Sequence, residues 1–276
     1  MSRQPLGQNF LADPVWRERI ARAALSLPAF METAPQPSGV WIEIGAGHGE
    51  MTTLLAPHVG RLVAIELDDK LLPRLREKTA SLSNVTVVHS DVLALNLPEL
   101  AGGERFRVYG NLPYYITSPI IHQLFEHPDP LDAAFIVIQL EVAERLVANP
   151  GHREYGYLST FAQFYSQPQI LLRVPPGAFR PRPKVSSALV ALRLPGERPK
   201  LGIADEPAFM NFLKGCFAQK RKTLRNNLRL LMEPADAERV IESAGLTPAI
   251  RAEQLTLTQF ARLFTLAQIQ VPPNKP

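Results

Sequence analysis

Val40-Trp41-Ile42-Glu43-Ile44-Gly45-Ala46-Gly47-His48-Gly49 is the stretch that decides the fold of this chain. Its first five residues form a compact apolar run, which predicts a buried strand, and the alternating glycines predict a tight loop before a helix over residues 50–59. Glycines let a backbone turn sharply and approach a ligand closely, so we expect Gly45 and Gly47 to contact a cofactor. Strand, glycine loop and helix in this order are typical of an open α/β sheet that binds a nucleotide.

Two acidic residues follow the next two predicted strands. Leu62–Ile65 ends in Glu66, at about the distance where a ribose-binding acid is expected, and Val85–Val88 leads to Asp91. A carboxylate at Asp91 can accept the amine of an adenine, and the side chains that would enclose the ring are Leu67 and Val92. The glycine spacing is one residue short of the dinucleotide fingerprint, which weakens the case for a pyrophosphate. The pattern therefore indicates a nucleoside cofactor.

A second ligand is indicated by Asn111-Leu112-Pro113-Tyr114, which follows the apolar run Phe106–Tyr109. In an open α/β sheet, ligands bind at the carboxyl ends of the strands. The Asn111 side-chain oxygen and the Leu112 carbonyl, held by Pro113, can each accept one hydrogen of an exocyclic amine, and the Tyr114 ring can stack on the base. The tetrapeptide alone is a weak signal. Its position after the glycine loop, Glu66 and Asp91 is what favours a base-binding pocket beside the cofactor.

With these elements in place, the chain resembles the bacterial ribosomal RNA adenine dimethyltransferases of the KsgA (RsmA) family along almost its whole length. The further matching motifs are Leu6–Leu11, Phe179–Ser187, Lys220–Leu228 and Arg251–Leu257. The resemblance implies a Rossmann-like, mixed seven-stranded α/β sheet that uses S-adenosylmethionine, followed by a small helical domain. We expect the methyltransferase domain to occupy residues 1–196 and the helical RNA-binding domain residues 197–276, since prolines, glycines and charges interrupt the pattern near Pro195–Pro207.

The resemblance also implies functional residues and a reaction. The implied cofactor contacts are Asn9, Leu11, Gly45, Glu66, Asp91 and Asn111. The implied catalytic loop is Asn111–Tyr114, with Phe179 as a second ring that clamps a flipped base. The implied reaction transfers four methyl groups to two adjacent adenosines near the 3′ end of 16S ribosomal RNA, within an assembling small ribosomal subunit. This chain departs from the family at Ser2–Pro5, which lacks a basic cluster, and at Tyr115, where many members carry asparagine.

Basic residues are concentrated in the last third of the chain. From residue 180 onward there are 16 Lys and Arg against 8 Asp and Glu, whereas the remaining residues have a net charge of −4. A basic face attracts phosphates. Between Gly215 and Leu231 no acidic residue interrupts the cations, and helical spacing places Arg221, Arg225 and Arg229 on one stripe. We therefore predict RNA binding by Lys220, Arg221, Lys222, Arg225 and Arg229.

Composition sets broad limits. A chain of 276 residues can bury a substantial core, and the single cysteine, Cys216, excludes a disulfide framework. The histidines and Cys216 show no metal-ligand spacing, so no metal site is predicted. No apolar run has membrane-spanning length, and we expect a cytoplasmic monomer.

Two alternatives remain open from the sequence. One is a 23S ribosomal RNA adenine N6-methyltransferase of the macrolide-resistance type, which shares the glycine loop and the Asn-x-Pro-Tyr type of motif. The other is an RNA-binding assembly factor in which methylation is secondary. The motifs at Lys220–Leu228 and Arg251–Leu257 favour the small-subunit enzyme, and intact Glu66, Asp91 and Asn111 favour activity.

Overall fold

The computed structural model describes residues 9–26 and 39–270. The predicted motif at Leu6–Leu11 falls only partly inside these ranges, and both Ser2–Pro5 and the last six residues fall outside them. The strands and helices in chain order are β1 (Phe10–Leu11), α1 (Pro14–Leu25), β2 (Val40–Ile44), α2 (Glu50–Leu55), β3 (Arg61–Glu66), α3 (Leu72–Thr79), β4 (Val85–His89), α4 (Leu97–Leu100), β5 (Phe106–Asn111), α5 (Thr117–Leu124), β6 (Leu131–Gln139), α6 (Leu140–Val147), α7 (Tyr157–Tyr165), β7 (Gln167–Val174), β8 (Phe179–Arg180), β9 (Ser187–Arg193), α8 (Arg198–Leu201), α9 (Glu206–Cys216), α10 (Leu224–Leu228), α11 (Pro234–Ser243) and α12 (Leu257–Gln270).

A seven-stranded mixed sheet forms the centre of the first part of the chain. Its strand order is β4-β3-β2-β5-β6-β9-β7, and the first five strands in this order are parallel. Strand β9 is antiparallel to both of its neighbours, β6 and β7. The predicted mixed seven-stranded sheet is thereby confirmed, and its parallel strands all end at one edge.

The central strands are continuous apolar runs in the sequence because both of their faces are buried. Every residue of β2 is buried, as expected for a parallel strand covered on both faces. Trp41 of β2 stacks on Phe135 of β6, with ring centroids 5.6 Å apart and planes within 7°. Helix α1 packs Ile20, Ala21 and Ala24 into the same cluster, so this face of the sheet is sealed by apolar side chains.

The chain divides into two compact units at places the sequence only partly anticipated. The first contains the residues up to Ala143 together with Gln167–Leu194, and the second contains Glu144–Ser166 together with the residues from Pro195 on. The predicted boundary lies within two residues of Pro195, but residues 144–166 group with the helical unit rather than with the sheet. Aromatic packing accounts for this grouping, since the rings of Phe164 and Phe209 lie 5.4 Å apart and the Tyr155 hydroxyl donates to the Leu255 carbonyl (2.9 Å).

Within residues 9–26 and 39–270, no helix combines the length and the apolar character that crossing a bilayer requires. In the same residues, no three side chains of the His, Cys, Asp and Glu type converge as metal ligands would.

Candidate active site

Two adjoining cavities open where β2, β3, β4 and β5 end, all within the first unit. They share Gly45, Glu66 and Pro113, and their volumes, counting the part open to solvent, are about 450 and 420 Å³. Such volumes suit small-molecule ligands. The first cavity is also lined by Asn9, Phe10, Gly47, Asn111, Leu112 and Tyr114. The second is also lined by Ile44, Ile65, Leu67, Ser90, Asp91, Val92, Tyr115 and Ile116.

Glu66 organises the floor that the two cavities share. Its side chain is only 2% exposed, and its carboxylate accepts backbone N–H groups from Gly47 (2.7 Å), Leu67 (2.9 Å) and Asp68 (2.8 Å). A carboxylate has about four acceptor sites, so three are engaged by the protein. The remaining capacity suits a single hydroxyl donor at this edge of the sheet.

The glycine loop follows β2 and is fastened to the neighbouring strand β3. The N–H groups of Gly45 and Ala46 both donate to the Ile65 carbonyl, at 2.9 and 3.0 Å. Gly47 adopts a left-handed backbone with φ +59°, which side-chain-bearing residues rarely adopt, and it thereby directs its N–H at Glu66. The predicted glycine loop and the predicted ribose-binding acid are therefore parts of one hydrogen-bonded unit.

Residues of the second cavity combine one exposed carboxylate with apolar walls. The Oδ1 atom of Asp91 accepts the N–H of Leu93 (3.0 Å) and caps the short turn Val92–Ala94. Val92 is buried, whereas Leu67 and Tyr115 are partly exposed at the cavity. The structure thus brings together the acceptor and the apolar side chains that the sequence predicts for an adenine site, and Tyr115 adds an aromatic ring.

Asn111 ends β5 and is held by a residue more than a hundred positions earlier in the chain. Its Nδ2 donates to the Asn9 main-chain carbonyl at 3.0 Å. Because a carbonyl can only accept, this contact identifies which amide atom is the nitrogen and leaves Oδ1 as the acceptor for a ligand. The structure thus brings the predicted residues Asn9 and Asn111 together at the first cavity.

The loop after Asn111 is fixed by its backbone. The Leu112 N–H donates to the Val137 carbonyl of β6 (3.0 Å), and the Thr117 hydroxyl donates to the Pro113 carbonyl (3.1 Å). Gly110, directly before the loop, is closely surrounded, because a Cβ there would lie 2.7 Å from Cδ2 of Leu112 and 3.3 Å from Cβ of Ile44. The predicted catalytic loop is therefore rigid at both of its ends.

Two residues without a predicted role contribute here: Phe10 lines the cavity, and Ser187 contacts Tyr114, which lines it. The Tyr114 hydroxyl lies 3.0 Å from Oγ of Ser187, a buried residue at the start of β9, so the ring is anchored at its outer end. The ring of Phe10 lines the same cavity and lies 5.1 Å from the ring of His48. Phe10 lies between the predicted cofactor residues Asn9 and Leu11, and this position in the sequence could have identified it as a residue of the site.

The side chains of Phe179 and Leu11 do not line either cavity. They face each other in a short antiparallel ladder between β1 and β8 and pack in the apolar core, where Phe179 is only 1% exposed. The prediction that the Phe179 ring is displayed to clamp a base is therefore not met in this structure. Burial of the Phe179 ring in the core against α1 is favourable. The sequence alone does not reveal whether the proline-rich segment directs this ring into the core or toward the cavity.

Glu43 is a buried acid within β2 for which the sequence predicts no role beyond the strand itself. It is 1% exposed and accepts a hydrogen bond from the Thr52 hydroxyl (2.6 Å). Burial, reinforced by the neighbouring carboxylates of Glu66 and Glu50, raises its pKa to about 8. The Glu43 side chain is therefore mostly protonated at neutral pH, which avoids placing a second negative charge beside Glu66.

The predicted basic stripe is wrong in its geometry. Helix α10 covers only Leu224–Leu228, and Arg221 and Lys222 lie in the turn before it. Arg225 and Arg229 both form ion pairs with Glu238 of α11, at 3.3 and 2.8 Å. Lys220 donates a hydrogen bond to the Arg153 carbonyl (2.7 Å). The side chains of Arg221 and Lys222 are exposed, and within the described residues neither shows an ion pair or a side-chain hydrogen bond.

Comparisons with known proteins point to one family. A family model described as ribosomal RNA adenine dimethylase matches residues 1–268. The chain is 44% identical over 261 residues to a ribosomal RNA small subunit methyltransferase A of Acidobacterium capsulatum, covering 94% of this chain and 89% of the relative. It is 39% identical over 262 residues to the protein of the same name from Xanthomonas campestris pv. campestris, covering 95% of both chains.

Solved structures agree on the fold. The crystal structure of the 23S rRNA methyltransferase ErmE matches with a TM-score of 0.71 and 27% identity, covering 94% of this chain and 99% of the other. A dimethyladenosine transferase from Plasmodium falciparum matches with a TM-score of 0.76 and 23% identity, covering 95% and 98%. Both matches extend over nearly the whole chain, including the residues after the sheet.

Proposed function

We propose a specific reaction for this chain, which belongs to the ribosomal RNA adenine dimethylase family of S-adenosylmethionine-dependent methyltransferases. The reaction is N6,N6-dimethylation of two adjacent adenosines near the 3′ end of 16S ribosomal RNA in the assembling small subunit. The observation that carries the proposal is the Asn111 amide, which is held by the Asn9 carbonyl at the edge of the first cavity with its oxygen available as an acceptor.

The residues around the second cavity fit the cofactor. In the proposal, the Glu66 carboxylate accepts a hydrogen bond from one ribose hydroxyl, and the Asp91 carboxylate accepts one from the adenine amine. Leu67 and Val92 lie beside the adenine ring. The glycine loop allows close approach of the backbone. When bound, S-adenosylmethionine supplies an electrophilic methyl group on a sulfonium.

The catalytic loop then orients the target amine. The nitrogen lone pair of adenine N6 is delocalised into the ring, so the amine must become pyramidal to attack the methyl. Asn111 Oδ1 and the Leu112 carbonyl can accept its two hydrogens and favour this geometry, and positioning of this kind supplies ~7–11 kcal/mol in favourable cases. A neutral amide suffices because the proton becomes acidic only after methyl transfer and can leave to water.

Stacking offsets the cost of removing the base from its RNA stack. Unstacking costs a few kcal/mol, and an aromatic platform returns roughly 1–3 kcal/mol per base. Tyr114 provides this platform in the proposal, with its ring anchored by Ser187. A contribution from Phe179 would require its buried ring to be uncovered.

The proposed partner is 16S ribosomal RNA within the pre-30S subunit, bound by the chain as a monomer. The exposed cations Arg221 and Lys222 support RNA binding, since phosphate contacts from Lys and Arg provide most of the sequence-independent affinity.

The decisive test is to incubate the protein and S-adenosylmethionine with unmethylated small subunits and, separately, with large subunits, and to map modified adenosines by mass spectrometry. We expect dimethylation at two adjacent adenosines of small-subunit RNA. Methylation of 23S RNA instead would favour the macrolide-resistance type of enzyme. Tight RNA binding without methylation would favour an assembly factor.

A further inference from the structure

Gln123 on α5 holds the turn that carries the predicted adenine contacts. Its Nε2 donates to two main-chain carbonyls, Val92 O at 2.5 Å and Leu95 O at 2.9 Å. Because both partners can only accept, the amide orientation is determined and both hydrogens of the NH₂ group are engaged. One side chain thus ties together the two ends of the turn that directly follows Asp91.

This turn needs such a tie because it separates two cavities. Ser90, Asp91 and Val92 line the proposed adenine cavity, whereas residues 93–98 line another cavity of about 650 Å³, again counting the part open to solvent. Only Val92 of the turn Val92–Ala94 is buried, so close packing alone does not fix this segment. Hydrogen bonds to its backbone therefore contribute to its position.

Gln123 also connects this turn to the catalytic loop. Helix α5 begins at Thr117, whose hydroxyl donates to the Pro113 carbonyl, and Gln123 lies near the other end of the same helix. The helix therefore spans from the base-binding loop to the Asp91 turn. Resting on the proposed function, we infer that Gln123 is a positioning residue that sets the Asp91 carboxylate against the adenine amine of S-adenosylmethionine and couples that contact to the catalytic loop.

The position of the Asp91 carboxylate should affect which ligands bind. A carboxylate placed against the purine 6-position should prefer the amine of S-adenosylhomocysteine to the carbonyl oxygen of S-inosylhomocysteine, because two acceptors facing each other repel. If Gln123 sets that placement, its loss should reduce this preference as well as affinity. A residue that only supported the fold would leave the preference unchanged.

The experiment compares Gln123→Met with Gln163→Met by calorimetric titration of both ligands. Gln163 is a matched control, since its Nε2 also donates to two main-chain carbonyls, Leu146 O (3.3 Å) and Ala148 O (2.7 Å), but within the helical unit. We expect Gln123→Met to weaken S-adenosylhomocysteine binding by about tenfold and to bring its preference over the inosyl analogue close to one. Gln163→Met should change neither quantity, although both variants should lower the melting temperature to a similar extent.

A donor-retaining variant separates positioning from packing. Gln123→Lys keeps N–H donors at similar reach and should restore most of the preference. If Gln123→Met does not fold, Gln123→Asn takes its place, because its amide is one methylene shorter and is withdrawn from the carbonyls. An unchanged preference in the folded variant, whatever its affinity, or a wild type that binds both analogues equally, would overturn the inference. A wild type that binds neither analogue would instead contradict the proposed function.

Discussion

The cleft at the strand ends and the basic segment of residues 220–229 were both predicted from sequence, and the local sequence pattern described the cleft better than the basic segment. In the cleft, Gly47 after β2 contacts Glu66 at the end of the neighbouring strand β3, as residues at adjacent strand ends should, and the predicted residues Asn9 and Asn111 also meet. In the basic segment, the acid that pairs with Arg225 and Arg229 comes from α11. The lesson is that a parallel sheet dictates which distant residues meet, whereas a surface helix does not dictate its charge partners.

The largest expected effect lies at the residue on which the cleft depends most. Asn111→Ala removes the acceptor that orients the amine at the transition state, so single-turnover methyl transfer on unmethylated small subunits should fall by about 100-fold or more. RNA affinity should change little. Asn211→Ala, an exposed substitution on α9, serves as the control. Near-normal turnover in Asn111→Ala would sink the proposed mechanism.

Glu66→Ala should have the next largest effect, on cofactor binding. It leaves the N–H groups of Gly47, Leu67 and Asp68 without their acceptor and removes the proposed ribose contact, and each unpaired group costs ~1–3 kcal/mol. Calorimetry should show affinity for S-adenosylhomocysteine lowered by roughly tenfold or more, together with a lower melting temperature. Exposed Glu77→Ala is the matched control. Unchanged affinity would remove Glu66 from the site.

A third experiment tests the basic segment of residues 220–229. Replacing Arg221 and Lys222 together by Gln should weaken binding to pre-ribosomal small subunits and flatten its salt dependence by about two phosphate contacts. Replacing Arg225 and Arg229 together should do less, because Glu238 already offsets part of their charge. Filter binding across salt concentrations measures both slopes, with cofactor affinity as the internal control. Equal slopes in the two pairs would mean that Glu238 does not compete with RNA.

The smallest expected effect concerns the hydroxyl of Tyr114. Because stacking requires only the ring, the sequence predicts that Tyr114→Phe has a mild effect. The hydrogen bond to Ser187 adds a positioning contribution worth ~0.5–1.5 kcal/mol, so Tyr114→Phe should lower methyl transfer by about twofold to tenfold. Ser187→Ala should match it, and the double variant should be no worse than either single one. Additive losses would show that the two hydroxyls act independently.

Sequence alone determined which segments form the first parallel strands and which residues follow them. Apolar runs followed by Gly45, Glu66, Asp91 and Asn111 indicated a nucleotide-type cleft, because parallel strands must end at one edge and alternating polarity is absent from strands covered on both faces. These are regularities of the backbone, which a local pattern can report.

Only the tertiary structure decided the features that depend on which distant side chains come together. It buried Phe179 in the core, assigned residues 144–166 to the helical unit, paired Arg225 and Arg229 with Glu238, and placed Ser187 at the Tyr114 hydroxyl. It also raised the pKa of Glu43, through burial that its strand position did not disclose. Burial and charge pairing are set by the sum of all neighbours, and those neighbours are distant in sequence and near only after folding.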